Sequence, residues 1–117
     1  MDKSNSNPLA AEYVLDAISN GIVAINTHKK IDFFNRTAEE LFEISCKTAK
    51  GKLIEDLFPG MGAMLIECLG TGRERRGCNL REGRVPLIAD IHPVRSQGQL
   101  IGAVGIIREI TEVEQIQ

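Results

Sequence analysis

The run Ile101-Gly102-Ala103-Val104-Gly105-Ile106-Ile107-Arg108-Glu109-Ile110-Thr111-Glu112-Val113-Glu114 changes character at Ile110. Up to that residue it is apolar and rich in β-branched side chains, as strands are. Thr111-x-x-Glu114 then forms a capping box, in which the Thr hydroxyl accepts from a backbone N–H three residues on and the Glu reaches back. Val113 and Ile116 stand three apart and begin an apolar helical stripe. The sequence ends at Gln117, one turn later, and isolated helices that short are marginal in water. The pattern predicts a strand that feeds a linker helix over 112–117. It also predicts an output domain beyond that helix, on which this domain acts.

Upstream of this run, turn chemistry separates further strands. Arg84 to Val94 alternates, with Val85, Leu87, Ala89 and Ile91 on one face, and Arg73 to Leu80 is polar and basic. Arg81-Glu82-Gly83 and Ser96-Gln97-Gly98 mark the turns between the last three strands. Gly21-Ile22-Val23-Ala24-Ile25-Asn26 and Ile31-Asp32-Phe33-Phe34 read as a hairpin around His28-Lys29-Lys30, without the usual Asn-Gly signal. Asn35 is placed to cap a helix over 36–43, whose apolar face is Ala38, Leu41 and Phe42. Met64, Leu65, Cys68 and Leu69 predict a second helix over 62–69, with the irregular stretch 44–60 before it.

The first seven residues are polar and predict a disordered N-terminus. From Pro8 onward, Leu9, Tyr13 and Ala17 recur at helical spacing, which predicts an amphipathic helix ended by Asn20-Gly21. The expected fold is therefore α+β: a five-stranded antiparallel sheet with short helices on one face, an N-terminal amphipathic helix and the start of an exit helix. The strands at 21–26 and 100–110 are apolar on both faces, whereas a half-exposed antiparallel sheet alternates. Their second face then needs a cover, which the N-terminal amphipathic helix or a second subunit would supply. Leu9, Tyr13 and Ala17 are the expected interface of a homodimer.

At 117 residues the chain has the size of one domain with a real core. A formal net charge of −2 gives no attraction to nucleic acid or to an anionic membrane, and no apolar run approaches the ~20 residues of a membrane span. The N-terminus lacks the apolar core of a signal peptide, so the expected compartment is the cytoplasm. Cys46, Cys68 and Cys78 are widely spaced and read as free thiols rather than as a disulfide framework or a metal site. His28 and His92 have no ligand-spaced partner.

Four segments in order resemble the PAS sensor-domain family, over Tyr13 to Gln117. They are Leu15-Asp16-Ala17-Ile18-Ser19-Asn20-Gly21-Ile22, Phe34-Asn35-Arg36-Thr37-Ala38-Glu39-Glu40-Leu41-Phe42, Gly51-Lys52-Leu53-Ile54-Glu55-Asp56-Leu57-Phe58-Pro59, and Ile101 to Thr111. In the last segment Glu109 stands where the family usually has Asp. The resemblance implies a sensory and dimerisation domain over 8–111, without catalysis, that feeds an output domain. The connector and Gly70-Thr71-Gly72-Arg73 look most like the PAS domains N-terminal in sigma-54-dependent transcription activators, whose output is an ATPase. A sensor histidine kinase is the alternative. Signal would leave through Glu109, Ile110 and Thr111. The resemblance also implies a small-ligand pocket between helices and sheet, with Phe34, Phe42, Leu57, Phe58, Met64, Leu65, Ile91 and Ile106 as candidate lining; the same residues also read as plain core. A small apolar ligand, itself the signal, is the second function class.

No nucleophile elbow or metalloprotease helix motif is present. Gly51-Lys52 does not make a P-loop, because Cys46 stands where the first Gly belongs and Leu53 where Ser or Thr does. Flavin of the light-sensing type is not expected, since Cys46 lies in Ile44-Ser45-Cys46-Lys47 rather than in that family's Asn-Cys-Arg motif. Haem is not expected either, because the 62–69 helix carries no axial His. Arg73, Arg75, Arg76, Arg81 and Arg84 form one basic cluster. With Glu74 and Glu82 interleaved, it reads better as charge that protects an outer strand than as a nucleic-acid patch.

Overall fold

The computed structural model describes residues 20–110. Within them lie five strands, β1 (Gly21–Asn26), β2 (Ile31–Phe34), β3 (Arg75–Leu80), β4 (Leu87–Ser96) and β5 (Gln99–Glu109). Four helices stand between β2 and β3: α1 (Arg36–Phe42), α2 (Cys46–Ala49), α3 (Ile54–Leu57) and α4 (Pro59–Thr71). The strands form one antiparallel sheet in the order β2-β1-β5-β4-β3. The expected fold is thus the observed one. The N-terminal helix and the exit helix lie outside the described residues.

Pairing fixes which side chains face the helices. Val23 pairs with Gly105, Ile25 with Ala103, and Ile91 with Gly105. Because strand side chains alternate, Val23, Ile25, Ala103, Ile107, Leu87, Ala89 and Ile91 form one inner face. They share a core with Leu65 and Met61 of α4, Ala38 of α1 and Ile54 of α3. Ile22, Ala24, Val104 and Ile106 stand on the other face. Ile22 is buried there, and the other three are half-buried. This is the doubly apolar character the sequence displays.

Gly21 lets α1 come down onto β1. A Cβ at this position would lie 3.0 Å from Leu41 Cδ1 and 3.4 Å from the Ala38 Cα, tighter than ordinary packing allows. The hairpin between β1 and β2 is held by the Asn26 side chain, whose oxygen accepts from the His28 and Lys30 N–H at 2.8 and 3.2 Å. Lys29 adopts φ 67°. A side-chain turn of this kind replaces the absent Asn-Gly signal.

Element boundaries differ from the sequence-based ones for identifiable reasons. Glu43 is left-handed, at φ 57°, and caps α1 instead of extending it. The second long helix begins at Pro59, not at 62, because proline is favoured in the first helical turn, where its missing N–H costs nothing. It runs to Thr71 and stops at Gly72, φ 71°. Val85 lies outside β4 and is 40% exposed. Pro86, which precedes β4, cannot donate to the ladder.

Both sheet edges are managed. Beside β2, the Ile31 N–H donates to the Lys52 carbonyl and the Gly51 N–H to the Ile31 carbonyl, at 2.9 and 2.8 Å, so the connector closes that edge. At the opposite edge, β3 carries Arg75 and Arg76 and an irregularity between Arg75 and Cys78. There the Gly77 N–H turns to the Asp90 carboxylate, 2.8 Å away. Charge and a bulge both discourage pairing with another chain.

Candidate functional site

The residues expected to line a pocket are mostly gathered in one place, where they pack on one another. Phe34, on β2, stacks on Phe58 with ring centroids 6.0 Å apart; Phe42, at the end of α1, lies 4.8 Å from Phe58 and 6.3 Å from Phe34. Such separations are those of aromatic pairs in direct contact. Phe34, Phe58, Leu65 and Ile91 are buried in the core, with Phe42, Leu57 and Met64 packed against it. Ile106 does not belong to this group. Its neighbour Gly105 pairs with Ile91, so Ile106 points to the other face, where it pairs with Ile22 and Asp90. The error is one of parity: in a strand apolar on both faces, composition does not say which residues turn inward.

An open cleft of about 620 Å³ lies elsewhere, where the two ends of the described chain meet. It is lined by Asn20, by Thr37, Glu40, Leu41 and Glu43 at α1, by Arg84 and Val85, and by Arg108 and Glu109 at the end of β5. Arg84 Nη1 sits 2.6 Å from Glu43 Oε2 across it. Of the three expected coupling residues, Glu109 therefore borders a cleft. The Ile110 N–H donates to the Pro86 carbonyl at 3.2 Å. Thr111 lies outside the described residues, as do Leu9, Tyr13 and Ala17.

The segment between β3 and β4 carries a residue that sequence reasoning missed. Glu82 spans to α4 and accepts from two backbone donors of its first turn, those of Gly60 and Met61, the latter at 2.8 Å. Phe58, at the N-cap, supplies no side-chain acceptor. A carboxylate at that end also meets the positive pole of the helix dipole. No local motif announces the contact, because 21 residues separate Glu82 from Met61.

The basic cluster is largely paired. Arg75 contacts Glu67 at 2.9 Å, Arg76 contacts Glu74 at 3.3 Å, and Arg84 contacts Glu43. Glu74 also meets His92 Nδ1 at 3.2 Å. These neighbours suit a solvated edge better than a phosphate-binding surface. The three cysteines are free thiols. Burial pushes the Cys68 thiol above its ordinary value of 9.0; the positive charge of Arg95 opposes the rise and Glu67 adds to it. Among the described residues no group of His, Cys, Asp or Glu is gathered as a metal site, and no helix is long and apolar enough to cross a membrane.

The model of the PAS fold matches residues 12–110. The chain belongs to the PAS family. Two curated relatives come from Halalkalibacterium halodurans. One, named "Probable C4-dicarboxylate sensor kinase", is 28% identical over 86% of this chain and 18% of its own length. The other, sensor protein CitS, is 25% identical over 90% of this chain and 20% of its own. The PAS chain thus spans about a fifth of the length of these relatives. Among solved structures, histidine kinase ThkA, in complex with the response regulator TrrA, aligns with a TM-score of 0.76 at 20% identity, covering 88% of this chain and 32% of that one. The PAS domain of Bordetella pertussis BvgS aligns with a TM-score of 0.67 at 19% identity, covering 90% and 87%. At these identities the structural likenesses speak for the fold.

Proposed function

We propose that residues 8–111 are the sensory PAS domain of a signalling protein with a histidine-kinase output, and that residues 112–117 begin the linker to it. The observation that carries this reading is the alignment of nearly the whole chain with a small part of two sensor proteins, one of them named as a kinase. The activator ATPase that the sequence favoured rests only on the phrasing of the connector and of Gly70-Thr71-Gly72-Arg73. The kinase reading takes precedence for that reason.

In this account the domain performs no chemistry. Its work is to hold two arrangements a few kcal/mol apart and to bias the output domain. The exit of β5 suits that role. Glu109 borders the open cleft and Ile110 is tied to Pro86, so a shift of the sheet alters the direction in which the chain leaves. The mutual contact of Phe34, Phe42 and Phe58 favours input by protein contact or dimerisation over a ligand held in the core. The half-buried apolar residues Ala24, Val104 and Ile106 on the second face support a homodimer.

The test is autophosphorylation of the longer protein, with and without residues 8–111. The expected result is that the deletion abolishes the response to signal while phosphate transfer persists. A response that survives the deletion overturns the reading.

A further inference from the structure

Residues 81–86 join β3 to β4, and the segment is fastened at both ends, in addition to the direct packing of α4 on β5 through the core. At one end the Glu82 carboxylate holds the Gly60 and Met61 N–H of α4. At the other, the Pro86 carbonyl holds the Ile110 N–H, where β5 leaves the domain. Three residues lie between, and a chain that short reaches only roughly 3.3–3.6 Å per residue. Nor is there slack at its middle. A Cβ on Gly83 would stand 3.2 Å from the Leu41 carbonyl oxygen and 3.0 Å from Leu87 Cδ1, so the backbone there lies flat against the end of α1 and the start of β4.

We propose that residues 81–86 form a strap that couples the N-terminus of α4 to the exit of β5. With Glu82 seated on α4, the strap backs Pro86 where it receives Ile110, the rung that follows the Leu87–Glu109 pair of the β4–β5 ladder. When α4 shifts, Glu82 is drawn with it or lets go, and the Pro86–Ile110 bond is disturbed in either case. Two of the otherwise orphaned donors of the first helical turn depend on this one carboxylate. That makes seated and unseated states discrete rather than graded. Arg84 is a lesser fastening: its pair with Glu43 is largely solvent-exposed, and such pairs contribute little. The functional meaning of the strap rests on the sensory reading above, but the coupling itself does not.

The coupling is tested in the 117-residue chain by hydrogen exchange of individual amides, read by NMR. In Glu82→Ala, the Gly60 and Met61 amides are expected to exchange about tenfold faster or more, and the Ile110 amide is expected to accelerate with them. Val23 and Ala103, in the middle of the sheet, should stay within about twofold of the parent. Glu82→Gln retains size and one acceptor, so it gives a milder version of the same pattern and serves if the Ala variant unfolds. Coupling between sites is reciprocal. Ile110→Pro, which removes the donor to Pro86, is therefore expected to accelerate Gly60 and Met61. If Gly60 and Met61 accelerate in the Glu82 variants while Ile110 does not, Glu82 is a helix cap and no more, and the strap is overturned. These rates belong to the domain by itself, so they stand or fall independently of whether its output is a kinase.

Discussion

The Asn35 N–H donates to the Ile22 carbonyl at 3.1 Å, and the Asn35 side-chain oxygen accepts from the Ile22 N–H at 2.9 Å. The two residues are thereby joined like a ladder pair, although one of them is a helix cap. The same oxygen accepts from the Ala38 N–H at 2.9 Å and so starts α1. The side-chain nitrogen donates to the Asn20 carbonyl at 3.0 Å. One buried amide, 2% exposed, thus fixes where β1 begins, where α1 begins and how the preceding chain arrives.

Asn35→Ala is expected to destabilise the domain by about 2–4 kcal/mol, because it leaves buried backbone groups unsatisfied as well as removing a cap. Denaturant unfolding with an unchanged slope would measure this. A loss below about 1 kcal/mol would mean that water replaces the amide and that the junction is not dry.

Phe58→Ala is expected to cost about 3–5 kcal/mol, the range for removing a large core aromatic. Phe58→Leu should cost markedly less. A small loss for the Ala variant, together with added mass on the parent in native mass spectrometry, would show that the Phe34, Phe42 and Phe58 rings enclose a ligand instead of filling the space themselves.

Cys68 gives a pH dependence with a definite sign. Its folded-state pKa is raised above 9.0 by burial, so the unfolded chain loses this proton first as pH rises. The contribution to stability is full below pH 9.0 and declines above it. Cys68→Ala should flatten part of the fall in stability on the alkaline side. At pH 8, alkylation of Cys46, half-buried, should outpace that of Cys68, which is 2% exposed. Equal alkylation rates would contradict the burial of the thiol.

Leu9 and Tyr13 changed together to Asp should convert a dimer into a monomer. Sedimentation of the parent at micromolar concentration should give twice the chain mass, and the double variant the chain mass. An unchanged mass would remove the N-terminal stripe from the interface.

How much of this was legible depends on how far each signal reaches along the chain. The strands announce themselves through the turn residues between them, β4 through alternation as well, and Asn35 through its place before an apolar helical face. Its bonds to Ile22 and Asn20 were not legible, since the partners lie 13 and 15 residues away. Parity failed at Ile106, where both faces of the strand are apolar and pairing alone decides. Pro59 reads equally well as the end of a connector or as the first residue of a helix. What favours the helix is Glu82, whose link to the start of α4 exists only after the sheet has formed. Val85 fits the alternation of β4 and is excluded from it by the proline next to it.

If signal leaves the domain through Glu109, Ile110 and Thr111, as proposed, the signal response of the longer protein changes when it carries Glu109→Gln or Thr111→Ala. The melting temperature of the 117-residue chain is measured for the same variants. The expected result is an altered response to signal, with melting shifted by only a few degrees, because an N-cap is worth about 1 kcal/mol and Glu109 is exposed. If both variants respond to signal like the parent, the junction is a tether and the claim fails.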